Sequence, residues 1–419
     1  MAAVAGQRYS CHGCGNCCRD FTVQLRKEDL RRLKEQNWEA RLGESVTMTL
    51  RGRAYLKRRA DGACVFLQPD GKCRVHAEFG LHGKPVACRF FPFSLSPSSE
   101  VSIAGLNFAC QSVLESNGAA LSTHRADLER LAAEAPETVA PSPMPLLSGA
   151  LRARPEELEA VVTRCQRWLE APMSGTGHTP LRLRLESLAW LAQMLNQADL
   201  QIVRGGRFRE LVETLLEHAP SEIALHPAEA PDRVGLLLLQ HFVFARTEDP
   251  AMELVAGHGR LRTIWRQLSR SRGFQRATGP VPATQGLPAG ATIEAVTGSA
   301  RLAASPDAEQ IDDLFSRWLR ARIAGGRAWG SGFYGWSVAS GMVALMVDCA
   351  CAAWLARCHA VSTGRKTVTI EDARFGVGRI DRASGRASWL GLPSEARFQG
   401  TLASDDRLRQ VLVDQLGEP

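Results

Sequence analysis

The sequence predicts a mainly α fold, in which a small irregular α+β cysteine-rich module is followed by an all-helical body. Three observations predict it. Eight of the twelve cysteines fall in residues 1–110, among short runs broken by glycine and proline. From about Leu121 onward, apolar residues recur at helical spacing over long stretches. Two stretches lack such a period: Pro136 to Pro145, with prolines at 136, 141, 143 and 145, and the Gly/Pro/Ala/Thr-rich run from Thr278 to Gly298. Read as linkers, they divide the chain into a module at 1–118, a helical domain at 119–277 and a C-terminal helical domain at 299–419.

Within the first module, Phe21 to Leu25 alternates like a short strand, and Leu30 and Leu33 place a helix over Arg26 to Gln36. Thr47 to Leu50 and Ala54 to Lys57 predict a strand pair. Pro69-Asp70-Gly71 is a strong turn signal and makes a hairpin with Cys64 on one arm and Cys73 on the other. Cys88 follows between Pro85 and Pro92, and Val101 to Ile103 leads as a last strand toward Cys110.

The body reads as successive helices. They cover Thr123 to Ala135, Pro155 to about Glu170, Leu181 to Asn196, Phe208 to His218, Val234 to Phe244, Leu261 to Leu268 and Ser305 to Ile323. Proline at a first-turn position starts the second and seventh. Trp336 to Ala356 is apolar for long enough to raise the question of a membrane span. Asp348 lies near its middle, and an unpaired carboxylate there is costly in lipid, so a buried core helix is expected. Capping residues at Thr369 and Ser404 start two last short helices. Trp168, Trp190, Trp265, Trp318, Trp336 and Trp354 stand at core spacing and read as packing. Cys165, Cys349, Cys351 and Cys358 read as small buried residues.

The formal charge is +7, and residues 1–110 carry all of it, with 17 basic against 10 acidic groups. Bound thiolates are negative, so basic residues beside cysteines, such as Arg19, Arg74 and Arg89, can offset them; a solvated basic face is the plainer reading. The N-terminus has no apolar run, which gives a reducing cytoplasmic compartment as the expectation and disfavours disulfides. No P-loop and no G-x-S-x-G elbow occurs, and Gly330 to Gly335 reads as an interhelical turn. No nucleic-acid partner and no membrane span are expected.

The chemistry-bearing stretch is Cys11-His12-Gly13-Cys14-Gly15-Asn16-Cys17-Cys18, four thiols in eight residues. Such a loop can point several sulfurs at one centre. The candidate metal ligands are Cys11, Cys14, Cys17, Cys18, Cys64, Cys73, Cys88 and Cys110. The run Cys11-x2-Cys14-x2-Cys17 matches the three-ligand spacing of ferredoxin clusters, with the fourth ligand supplied by Cys64, Cys73, Cys88 or Cys110. An extended segment would point Cys17 and Cys18 apart, so that they serve different centres or one is left free to react. Zinc suits the same thiolates, and eight could fill two zinc sites. His12, His76 and His82 are possible ligands too, but with thiols enough they read as solvated or hydrogen-bonding residues. Arg89, beside Cys88, is a candidate hydrogen-bond donor to the bound cluster.

This order of cysteines, with Gly71-Lys-Cys73-Arg-Val-His and Lys84-Pro85-Val-Ala-Cys88-Arg89-Phe-Phe-Pro92-Phe, resembles the YkgJ-type cysteine-cluster proteins over residues 8–111. The resemblance implies a zinc- or iron-chelating domain. The order is also similar to that of bacterial flagellin lysine N-methylases, which implies an Fe–S cluster, S-adenosylmethionine as methyl donor and a protein substrate. Three functions follow as expectations. One is an Fe–S protein, with a [4Fe–4S] centre and a redox partner. The second is an Fe–S-dependent protein-lysine methyltransferase. The third is a non-catalytic scaffold folded around zinc.

Overall fold

A computed structural model describes residues 2–50, 52–96, 102–134, 142–170, 180–247, 265, 278–284 and 286–417. The chain is mainly α, 57% helical, with a few short strands near the N-terminus. Its contacts form two compact units, one of residues 1–95 with 104–140 and one of residues 96–103 with 141–419.

In the first unit, strands β1 (Ala2–Ala3) and β2 (Arg8–Tyr9) precede α1 (Asn16–Asp20), α2 (Lys27–Glu35) and α3 (Trp38–Leu42). The expected strand pair is present as β3 (Thr47–Leu50) and β4 (Arg53–Leu56), antiparallel, with Thr47 opposite Leu56. The segment 21–25 is extended beside β4, where Leu25 N–H donates to Ala54 and Leu56 N–H donates to Val23. The hairpin is cut short: Leu67 bridges Cys73, and the chain then turns helical as α4 (Arg74–Phe79). Next come α5 (Val86–Phe90), β5 (Phe93–Ser96), β6 (Ile103–Leu106), α6 (Gln111–Leu114), β7 (Ala119–Ala120) and α7 (Arg125–Glu134). Strand order in the largest sheet is β1-β6-β5. Helix α7 packs on α5, so the first unit runs past residue 118.

The second unit contains β8 (Leu146–Ser148), β9 (Leu151–Arg152), α8 (Pro155–Glu170), α9 (Leu181–Gln197), α10 (Gly206–Leu225) and α11 (Arg233–Thr247). After them come α12 (Ile293–Thr297), α13 (Ala308–Ala324), α14 (Val338–Ser362), α15 (Ile370–Ala383), α16 (Pro393–Ala403) and α17 (Arg407–Leu416). Helix α14 is the axis: α9, α11, α15 and α17 all pack on it. Helices α9 and α11, from the stretch 119–277, and helices from 299–419 thereby share one core instead of forming two domains. By length and composition α14 could cross a membrane, but 94% of its most apolar window is buried inside the protein. Apolar neighbours on every side explain why it is hydrophobic all round.

Three helical readings differ. α16 was not expected: Ser404 closes it, and the cap of the next helix, α17, is Asp406, within the stretch 404–407 expected to start it. α10 runs through Pro220 to Leu225. α12 occupies part of the stretch read as a loop. The helix expected over Leu261 to Leu268 and most of the 136–145 linker lie outside the described residues. Trp318 and Trp354 are core as expected, but Trp265 is exposed. Cys165, Cys349, Cys351 and Cys358 are buried.

Candidate metal centre

Gly13 and Gly15 both take positive φ, +69° and +73°, a region that favours glycine. The second is the N-cap of α1, so Cys17 and Cys18 sit on a helical turn. Neighbours on a helix are about 100° apart rather than opposed. Their sulfurs are accordingly 4.0 Å apart, which corrects the extended geometry expected for the pair.

The hairpin turn leans on this loop, main chain against main chain. A Cβ at Gly71 would lie 2.8 Å from the Gly13 carbonyl oxygen, and one at Gly15 would lie 3.1 Å from that of Gly71. Cys64 N–H donates to Cys18 O at 2.8 Å. Cys18, Cys73 and Cys88 pack with buried Cys64 on one apolar cluster that includes Leu33, Trp38, Phe66 and Val75. On the other side, Cys110 lies in electrostatic reach of Cys14 and Cys17, and Cys14 of Cys11 and Cys17. Cys17 also lies in reach of Cys64 and Cys88. Eight thiols from distant segments thus form one neighbourhood, linked through Cys17, and all eight are free. Cys11 and Cys14 are exposed.

Four of the thiols, Cys17, Cys64, Cys88 and Cys110, are held toward the protonated form. The Cys18 thiol bonded to Cys17, together with burial, pushes Cys17 far up. Burial pushes Cys64 to about 11 and Cys110 to about 12, and raises Cys88 as well. Backbone N–H groups oppose this: Phe66 donates to the Cys64 sulfur, Ser112 and Val113 to Cys110, and Asn16 to Cys14. Amide donors of this kind stabilise metal-bound thiolates. Among the described residues, no three His, Cys, Asp or Glu side chains gather tightly enough to hold an ion. Neutral thiols attract one another weakly. Only a cation on deprotonated sulfurs draws four of them to about 2.3 Å from a single point. Soft donors in excess, unbridged and supplied with amide donors, fit a thiophilic metal.

Arg89 does not reach a sulfur. It is buried and paired with Glu134 on α7, Nη1 to Oε1 at 2.9 Å and Nη2 to Oε2, so it ties α5 to α7. Arg89 in turn holds the Glu134 carboxyl below the usual range. The cation among the thiols is Lys84. Burial works against its charge, but Cys73, Cys88, Cys17 and Cys18 around it hold its pKa above the ordinary value. A signal for it was present, since Lys84 is one of only six lysines among 51 basic residues. Tyr9 was missed too: its hydroxyl bonds Cys11, and burial raises its pKa, with Cys11 and Cys110 adding to the rise. His12, His76 and His82 are exposed.

No curated protein and no solved structure matches the chain. A family model does match, over a segment that contains all eight thiols. Residues 10–112 match the family model described as CxxCxxCC, a putative zinc- or iron-chelating domain.

Proposed function

We propose that this domain holds iron in a [4Fe–4S] cluster and that the protein is a redox-active metalloprotein. The observation that carries the proposal is the gathering of eight free thiols about Cys17, with Lys84 as a cation beside Cys17, Cys18, Cys73 and Cys88. Cys11, Cys14 and Cys17 supply the three-ligand spacing, and Cys110, in reach of both Cys14 and Cys17, is the fourth ligand. Cys18, Cys64, Cys73 and Cys88, packed on the apolar cluster, form a second set of four. When bound, the cluster supplies one-electron transfer. The chain's own part is to donate amide N–H bonds to the sulfurs and to set a positive charge beside them.

A second reading has its own observation. Two ligands on one tetrahedral zinc, each about 2.3 Å from the ion, stand roughly 3.8 Å apart. The Cys17 and Cys18 sulfurs, at 4.0 Å, already have nearly that spacing. This reading makes the domain a zinc-stabilised scaffold.

Metal and sulfide analysis of anaerobically purified protein separates the two. Near-equal iron and sulfide in a brown protein is the expected result. A colourless protein with stoichiometric zinc and no sulfide overturns the iron–sulfur reading in favour of zinc. Cys110→Ser should lose the iron and the visible absorption, while Cys349→Ser, on the buried α14, should keep both.

A further inference from the structure

The interior of the helical unit holds five charged side chains in mutual contact. Asp348 accepts from Arg246 Nε at 2.5 Å, from Arg322 Nη1 at 3.2 Å and from Ser384 Oγ at 2.5 Å. Asp381 accepts from Trp318 Nε1 at 2.9 Å and from Arg322 Nη1 at 3.4 Å. Arg322 also donates from Nε to the Arg327 carbonyl at 3.1 Å and from Nη2 to Ser384 at 3.2 Å. Both aspartates and Arg246, Arg322 and Arg327 are buried. Among these five, three guanidiniums face two carboxylates, a surplus of one positive charge; the next buried carboxylate, Glu395, bonds His241 and lies in reach of Arg246.

That surplus is at Arg327. Its Nη1 stands 3.7 Å from Asp381 Oδ2, too far for a good hydrogen bond. Its Nη2 is shut off from water and has no hydrogen-bond partner among the described residues. Arg327 is only 7% exposed. A buried guanidinium with an unmet donor is costly unless something accepts from it. Around it stand half-buried Tyr334 and exposed Arg386, which lies in electrostatic reach of both Arg327 and Tyr334. The covering loop is rich in glycine, with Gly326 at φ +64° and Gly330 at φ +60°. It folds so closely that a Cβ at Gly332 would strike the Gly326 carbonyl oxygen at 2.0 Å.

We propose that Arg327, with Arg386 at the rim, binds a singly charged oxyanion, the carboxylate of a small acidic ligand. One negative charge balances the surplus at Arg327, and a carboxylate oxygen accepts from Nη2. A guanidinium is the side chain best suited to that geometry. The site is independent of the thiols and of the metal reading. Entry requires the 325–335 loop to lift.

The test is thermal unfolding of the full chain in sodium formate, sodium chloride and sodium phosphate at equal ionic strength. Formate should raise Tm saturably above chloride, as a ligand that binds only the folded state does. Arg327→Met should lose this rise and, in chloride, melt no lower than the parent protein, because an uncompensated charge has been removed. Arg386→Gln, at an exposed position, should weaken the apparent affinity several-fold without lowering Tm in chloride. Three results overturn the proposal. One is a parent Tm equal in formate and chloride, and another is stabilisation by phosphate without formate. The third is an Arg327→Met protein as unstable as Arg322→Met, which would make Arg327 a structural partner of Asp381.

Discussion

At the residue scale, burial of charge decides most outcomes in the helical unit. Glu157 is buried and accepts from Arg204 Nε at 2.7 Å, Arg204 Nη2 at 2.9 Å, and the N–H groups of Arg154 and Gly205, each at 2.9 Å. Burial alone would raise its pKa, but Arg204 and the two amides outweigh it and hold the carboxyl at about 2. The folded pKa lies below the unfolded value of about 4.3, so the stabilisation is fully present above that pH. It is lost as pH falls from about 4.3 toward 2. Glu157→Gln should cost about 1.5–3 kcal/mol at pH 7 and flatten this stretch of the stability–pH curve, as measured by urea unfolding. Asp348→Asn leaves two buried guanidiniums short of a partner and should cost about 3–5 kcal/mol by the same measurement. Asp348 was legible in the sequence as a residue that did not belong in a membrane. Its partners, Arg246 and Ser384, are 102 and 36 residues away, and no local pattern announces such contacts.

At the scale of elements, the sequence was most legible where apolar residues run on over many helical turns. α8 begins at Pro155 and ends at Glu170 as the pattern predicts, and α14 is the buried helix its composition suggested. Legibility failed where a cap could be read in either direction, as at Ser404, and where a thiol-bearing segment turned helical after Cys73. It failed also at close helix approaches, which are set by what a neighbour lacks. A Cβ at Gly376 on α15 would lie 2.2 Å from the Ala352 carbonyl oxygen of α14. Gly376→Ala should therefore destabilise by about 1–3 kcal/mol, read as a fall in Tm. Gly400, inside α16, has open space where its Cβ would be. Gly400→Ala should stabilise by about 0.5–1 kcal/mol in the same measurement.

At the scale of the whole molecule, the two units draw on different sources of stability. The helical unit has a large apolar core around α14, while the first unit has short elements and a thiol neighbourhood at its centre. Metal removal by a chelator should thus speed amide exchange across 1–95 and 104–140 and leave α9, α14 and α15 protected. Uniform loss of protection would contradict this. Metal uptake releases protons from thiols whose pKa values lie above neutrality, so loading should improve as pH rises from 6 to 8. The cysteine pattern was legible in one dimension because ligand spacing is local. The grouping into Cys11, Cys14, Cys17 and Cys110 on one side and the apolar-packed set on the other was not, since it depends on how the hairpin leans on the loop.

That lean has an evolutionary corollary. With the Gly13 carbonyl 2.8 Å from where a Cβ at Gly71 would be, and Gly71 at φ +83°, no side chain can be tried at this point without prising the thiol ribbon from its support. Descendants of this chain that shift metal preference must do so by exchanging neighbours such as Lys84 or Tyr9, because the backbone junction has no room left for experiment.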